Sequence, residues 1–139
     1  MINKGLMTSN SDEWATPQKL FDELDGKYHF TLDPCSTNEN HKCDTYYTKQ
    51  DDGLHKTWGG TEYIWTHLIG REIYKWVEKA YEENKKGTFV VCLLPARTDT
   101  RWFHEFIYKK HEIIFIKGRL KFNDGKNPAP FPSMLVIMK

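Results

Sequence analysis

Residues able to do chemistry gather at a few places along this chain, and the first is the junction Glu62-Tyr-Ile-Trp-Thr-His-Leu-Ile-Gly-Arg-Glu-Ile73. Tyr63 to Trp65 read as a buried strand, Gly70 as a turn residue and Arg71 to Lys86 as a helix. Thr66, His67, Leu68 and Ile69 therefore stand at the carboxyl end of a strand, where open α/β sheets form the crevice that holds ligands. Thr66 can accept one hydrogen bond, and His67 can stack or act as a base. In Asp33-Pro34-Cys35 a strand runs into a loop whose amides and carboxylate could hold a charged ligand. Asp51-Asp52-Gly53 offers paired carboxylates, and both stretches also read as plain turns. Arg97-Thr-Asp-Thr-Arg-Trp102 leaves the strongest strand of the chain. Arg97 and Arg101 can neutralise phosphates there and Trp102 can stack on a base; alternatively Asp99 caps a helix, Trp102 is core and the arginines are surface charge. Lys117, Arg119, Lys121 and Lys126 form a second basic edge whose phosphate contacts would weaken steeply with salt. Cys35, His41 and Cys43 match no standard four-ligand zinc spacing, so no metal is expected.

The elements that must position these groups follow from periodicity. Thr16 can cap a helix with Pro17 in its first turn, Leu20, Phe21 and Leu24 give the apolar face, and Gly26 stops the run. Tyr28 to Leu32 and Tyr46 to Thr48 read as short strands, and Leu54 to Trp58 as a weak helical turn. Ile73, Trp76, Val77 and Ala80 recur at helical spacing with Glu and Lys on the solvated remainder. Thr88 to Leu94 is a continuous apolar run of the type buried on both faces of a parallel sheet. A helix capped by Asp99 should reach Lys110, and Ile113 to Ile116, Arg119 to Phe122 and Met134 to Met138 should close the chain as strands. Strands alternating with helices, then strands alone, predict an α/β fold with a mostly parallel sheet and antiparallel pairing at one edge.

A length of 139 residues at 39% hydrophobic content suits a single compact domain over 12–139, preceded by a loose arm over 1–11. The formal charge of +1 and pI of 7.7 fit no histone-like binder, yet leave room for local basic patches. With no membrane-length apolar run, no signal segment and an odd number of cysteines, the chain is expected to remain in the cytoplasm.

Taken in order, Trp14-Ala-Thr-Pro17, Phe30-Thr-Leu-Asp-Pro-Cys35, Asp51-Asp-Gly-Leu54, Trp58, Gly70-Arg-Glu-Ile73, Trp76 and Leu93-Leu-Pro-Ala-Arg-Thr-Asp-Thr-Arg-Trp102 resemble the phage-type DNA N-6-adenine methyltransferase family. Gly118-Arg-Leu-Lys-Phe122 and Ala129-Pro-Phe-Pro-Ser133 extend the resemblance over nearly all of the chain beyond Asp12. The resemblance implies a class I S-adenosylmethionine methyltransferase fold, Rossmann-like, with a seven-stranded sheet. It implies S-adenosylmethionine as methyl donor, adenine in double-stranded DNA as substrate, and a bacterial host's cytoplasm as the setting. By resemblance Trp14, Thr16 and Pro17 lie near the cofactor, Leu32, Asp33, Pro34 and Cys35 match the first cofactor motif, and Asp51 or Asp52 takes the ribose. So small a chain leaves little room for a separate recognition domain, so reading of DNA by loops or by self-association as a homodimer is the expectation.

The family's catalytic Asn-Pro-Pro-Tyr or Asp-Pro-Pro-Tyr precedes the glycine matched by Gly70. Its amide or carboxylate oxygen and first proline carbonyl orient the adenine amine, and its tyrosine stacks on the flipped base. Here those positions are Thr66, His67, Leu68 and Ile69: threonine can accept one hydrogen bond, but nothing replaces the tyrosine ring, and the loss of both prolines frees the turn. The change can be written in codons. Removing one A from TGG AAC CCA CCT TAT GGN and adding A, C or T before the last GG gives TGG ACC CAC CTT ATH GGN, which reads Trp-Thr-His-Leu-Ile-Gly. Two compensating frameshifts are therefore the hypothesis for this stretch, and any other codons at Thr66 to Ile69 would remove it. A non-catalytic cofactor- or DNA-binding regulator or decoy derived from such an enzyme is the alternative expectation.

Overall fold

A computed structural model describes residues 14–125 and 127–139. The expected arm over 1–11 and the basic residue Lys126 lie outside them. The elements in chain order are α1 (Gln18–Tyr28), β1 (Tyr63–His67), α2 (Ile73–Lys85), β2 (Phe89–Pro95), α3 (Arg101–Phe106), β3 (Glu112–Phe115) and β4 (Ser133–Met138), with 3-10 turns at Gly53–His55 and Phe122–Asp124.

The sheet order is β1-β2-β4-β3, with β1 parallel to β2 and the remaining pairs antiparallel. Beyond β1 it continues through single parallel bridges, Leu32 to Ile64 and Asp33 to Tyr46. The expected α/β class is thus present, parallel where the chain starts its sheet and antiparallel at the far edge. The strand count differs: among the described residues there are four strands and two bridges. Tyr28 to Leu32 makes no strand because Tyr28 still belongs to α1, and Tyr46 to Thr48 contributes only the Tyr46 bridge. Arg119 to Phe122 is not a strand either, since Phe122 opens a 3-10 turn.

β2 forms the centre because its apolar run can bury both faces. Val90, Cys92 and Leu94 pack with Val77 and Ala80 of α2 and Trp102, Phe103 and Phe106 of α3. Val91 and Leu93 pack on the opposite side with Phe21 of α1, Phe30 and Trp65. β3 is the outer strand, and Ile114 and Phe115 on it remain exposed.

Helix ends depart from the sequence expectation in instructive ways. Gly26 does not stop α1, which runs on to Tyr28 and ends where His29 turns left-handed, φ 58°, and donates its amide to the Asp25 carbonyl. Thr16 does not cap α1. Pro17 takes the cap position with no side-chain bond, and the Gln18 amide donates to Asp124 Oδ1 at 3.2 Å from the far end of the chain. α3 is capped by Thr100, whose hydroxyl accepts from the Phe103 amide at 3.3 Å, rather than by Asp99, and it ends at Phe106 instead of Lys110.

Glu83 belies the simple solvated face expected of α2. Its side chain is 2% exposed, accepts the Trp58 amide at 3.0 Å and pairs with Lys79 at 2.9 Å and Lys86 at 3.6 Å. Burial alone would raise this carboxyl, but the Trp58 amide and the two lysines outweigh it and hold it below the ordinary glutamate range. The folded value lies below the unfolded one, so the stabilisation is complete above the ordinary range and is lost as pH falls through and below it. Glu83→Ala is expected to cost about 2–3 kcal/mol by leaving a buried amide and ammonium unmatched. Urea unfolding should show the gap between the variant and the unaltered chain narrowing from about pH 7 to about pH 4.

Candidate active site

The carboxyl ends of the Leu32 segment and β1 open on one side of the sheet, and a cleft of about 620 Å³ lies there. It is lined by Trp14, Ala15 and Thr16, by Asp33, Pro34 and Cys35, by Asp52, Gly53, Leu54 and Trp76, and by Trp65, His67 and Ile69. Lengthwise separation in sequence is thus undone by three segments converging on the end of β1. Of the sequence-derived cofactor residues, Trp14, Thr16, Asp33, Pro34, Cys35 and Asp52 all face this cleft. Pro17 does not line it and serves instead at the start of α1, where its carbonyl accepts the Phe21 amide.

Asp33 is 3% exposed. Its Oδ2 accepts the Lys42 amide at 3.2 Å, and its own amide and carbonyl pair with Thr45 and Tyr47 in the bridge. Burial pushes its carboxyl up to about 7, against the lowering effect of hydrogen bonds from the Lys42 and Cys35 amides and the Ser36 hydroxyl. The choice between the two later aspartates is made by the turn. Asp51 folds back on the Thr48 amide at 2.8 Å and hydroxyl at 3.1 Å, whose hydrogen bonds hold it below its usual range. Asp52 instead lines the cleft in a left-handed conformation, with its carboxylate 2.7 Å from His55 Nδ1.

The stretch Thr66 to Ile69 splits by strand parity. β1 extends through His67, so Thr66 and His67 alternate across the sheet like other strand residues. Thr66 is 0% exposed, its hydroxyl has no hydrogen-bond partner, and it does not line the cleft. Leu68 is buried with the helix-side core, and its amide donates to the Leu93 carbonyl at 3.0 Å. Leu68 therefore does not fill the cleft. His67 and Ile69 do line it. The His67 ring stacks on Phe122 with centroids 5.0 Å apart and planes 5° apart, and burial pushes its pKa down to about 4 despite a hydrogen bond to the Trp14 backbone. The imidazole is neutral at pH 7 and occupied by its own chain.

A second cleft of about 280 Å³ adjoins the first, sharing Trp14, Ile69 and Arg71 and adding Gly70, Ile73, Pro95, Arg97, Thr100 and Trp102. Gly70 sits at φ 100°, a backbone geometry that favours glycine and lets β1 turn toward α2 between the two clefts. Trp102 is 4% exposed and reaches the cleft from the core, so it does not stand out as an exposed stacking platform. Arg97 lies at this cleft with its guanidinium 6.0 Å from the Phe131 ring. Arg101 is tied to Glu105 at 2.8 Å and to Tyr74 at 3.3 Å. Arg119 donates to the Ala129 carbonyl at 3.3 Å, and Lys121 is exposed beside Phe122. Arg71, exposed and common to both clefts, escaped the sequence reading although its place directly after Gly70 signalled it. Trp76, read as a core position, also presents a cleft wall.

Among the described residues no group of three His, Cys, Asp or Glu side chains could hold a metal ion, and no helix is long and apolar enough to cross a membrane. His41 is engaged locally, stacking on Tyr46 at 3.8 Å with its Nδ1 2.7 Å from the Cys43 carbonyl.

Comparison with known proteins gives this site its context. A DNA N-6-adenine-methyltransferase of Escherichia phage T1 is 31% identical over 120 residues, covering 84% of this chain and 50% of the relative. The chain thus spans about half the length of that curated relative. A solved chain from Thermoplasma acidophilum, provisionally assigned as a methyltransferase, superposes with a TM-score of 0.46 at 11% identity, covering 88% of this chain and 64% of the other. The family model for DNA N-6-adenine-methyltransferase (Dam) matches residues 4–139. With a match running nearly end to end, the chain belongs to the DNA N-6-adenine-methyltransferase family.

Proposed function

We propose that this chain takes S-adenosylmethionine in the larger cleft and adenine from double-stranded DNA beside the smaller one, as a member of a DNA N-6-adenine methyltransferase family, and that with Thr-His-Leu-Ile at 66–69 it binds without completing transfer. The observation that carries the reading is the convergence of Trp14, Thr16, Asp33, Pro34, Cys35 and Asp52 on a single cleft ending at Ile69. About 620 Å³ is within the usual range for sites that enclose a ligand of nucleoside size. Asp33 suits the donor's ammonium group, Asp52 its ribose hydroxyls, and Leu54 and Trp76 an apolar ring. When bound, S-adenosylmethionine supplies an electrophilic methyl group; the adenine amine would form the new N–C bond as the C–S bond breaks, and the amine then sheds a proton. The chain's part is to orient that amine, which is what Thr66, sealed from the cleft, and Ile69, with no polar atom in its side chain, do not do. Arg97, Arg119 and Lys121 supply cations for the DNA backbone, while Arg101 is engaged with Glu105.

Calorimetry with S-adenosylmethionine tests the donor site, and tritium transfer to adenine-containing duplex DNA tests turnover. Binding without transfer is the expected result; absence of donor binding by folded protein would refute the reading, and transfer at ordinary family rates would refute the claim about 66–69.

Asp33 gives this reading a pH signature. Its folded value of about 7 lies above the unfolded one, so without donor its contribution to stability is complete below the ordinary aspartate range and is lost as pH rises toward about 7. A cationic ligand favours the ionised form, so donor affinity should rise with pH up to about 7 and then level off, with proton release on binding below that point. Asp33→Asn should abolish this dependence, weaken donor binding and raise the Tm of the ligand-free chain at neutral pH. Titrations in buffers of different ionisation enthalpy, alongside melting curves, check both halves.

A further inference from the structure

Away from the residues already assigned, the most heavily constructed feature is the turn Phe122–Asp124. Asn123 and Asp124 both hold left-handed backbone, with φ of 61° and 51°, a conformation that non-glycine residues keep only where surrounding contacts impose it. What these residues hold is the chain segment entering α1. The Ala15 amide donates to Asn123 Oδ1 at 2.7 Å, and the Asn123 amide donates back to the Ala15 carbonyl at 2.8 Å. This closed pair joins residues 108 positions apart. One residue further on, Asp124 receives the first amide of α1. Phe122 completes the attachment, edge-on to the Trp14 ring at 5.3 Å and stacked on His67.

Trp14, Ala15 and Thr16 belong to no helix or strand, yet all three line the larger cleft. Their position is therefore set by tertiary contacts: the Asn123 pair fixes the Ala15 backbone in both directions, beside the hydrogen bond between His67 and the Trp14 backbone. We propose that Asn123 is a positioning residue of the donor cleft, holding the Trp14–Thr16 wall at the spacing the donor requires through its paired hydrogen bonds with Ala15. The inference rests on the reading of this cleft as the S-adenosylmethionine site. Asn123 itself does not line the cleft, so it acts on the ligand only through that wall.

The test compares three full-length chains by calorimetry with S-adenosylmethionine, with melting curves and amide exchange at Ala15 recorded in parallel. Asn123→Gly keeps the left-handed backbone available and removes the side chain that carries the acceptor oxygen. Asn123→Asp keeps an acceptor and tolerates the same conformation. The glycine variant should bind the donor roughly fivefold to tenfold more weakly, the loss expected for one well-formed hydrogen bond, with faster exchange at Ala15 and little change in Tm. The aspartate variant should restore affinity to near that of the unaltered chain. Equal affinity in all three would overturn the proposal, as would a loss in the glycine variant that merely tracks a fallen Tm while Ala15 exchange outside global unfolding stays unchanged. No donor binding by the unaltered, folded chain would instead overturn the donor-site reading, and this proposal with it.

Discussion

Replacing the stretch at the end of β1 through Thr66→Asn, His67→Pro, Leu68→Pro and Ile69→Tyr is expected to raise tritium transfer to adenine in duplex DNA by roughly a hundredfold or more over the unaltered chain, the scale associated with a pre-organised polar group at a reacting centre. The structure explains why all four changes are needed together. Thr66 faces the helix-side core because β1 continues through His67 and keeps strand alternation. Prolines at 67 and 68 cannot donate to the ladder, and the Leu68 amide now bonded to Leu93 would be gone, so the strand must end earlier and position 66 can leave the sheet. Tyrosine at 69 would then stand where Ile69 joins the two clefts. The same changes discard the buried Leu68 side chain and the His67 contacts with Phe122 and Trp14, at a cost of about 3 kcal/mol or more. Circular dichroism and donor calorimetry must therefore accompany the assay. A variant that is folded, binds donor and still transfers nothing would show that the defect lies elsewhere in the chain.

Gly53→Ala should be the most damaging single substitution on the cleft. A Cβ at Gly53 would run into the Pro34 carbonyl oxygen, with the Trp76 ring 3.3 Å away. The Gly53 carbonyl is also fixed, accepting the Trp58 indole N–H at 3.0 Å, so the turn cannot simply back off. Pro34 and Gly53 both line the cleft proposed to hold the donor, and forcing them apart should cost about 2–4 kcal/mol of stability and at least tenfold in donor affinity. Gly26→Ala is the matched control. It lies inside α1 with nothing within 4 Å of the added carbon, and should stabilise by about 0.5–1 kcal/mol without affecting binding. Equal Tm values for the two variants would contradict this account.

The parts of the molecule legible in the sequence are those where one local signal dominates. The run in β2 and the stripe Ile73, Trp76, Val77 and Ala80 in α2 need only apolar periodicity, and both elements lie where that pattern puts them. That Trp14, Thr16, Asp33, Pro34, Cys35 and Asp52 meet at one cleft was legible through the order of short motifs, which carries information that no single aspartate or tryptophan does. What stayed hidden depends on distant partners. Gly26 reads as a stop signal, but α1 is held past it by packing of Phe21 and Tyr28 on Phe30. Its amino-terminal acceptor, Asp124, comes from the other end of the chain, and no local pattern around Thr16 and Pro17 could reveal it. Glu83 looks like an ordinary surface charge until Trp58 is placed above it. Trp102 follows the same logic in reverse: an aromatic residue in a loop-like, arginine-rich stretch is drawn into the core because a short helix starts at Arg101.

The unequal lacing of the sheet has a consequence for how the molecule opens. β2, β4 and β3 share continuous registers, whereas the segments carrying Asp33 and Tyr46 are joined by one-residue bridges and a handful of amide contacts. Local opening should therefore be tiered, with amides near 31–47 exchanging through small, frequent excursions and those of β2 and β4 only through global unfolding. A ligand seated against Asp33 would draw its binding energy partly into suppressing those excursions, so the weakly laced half would become protected while the antiparallel half, already at its ceiling, gains only the overall shift in stability.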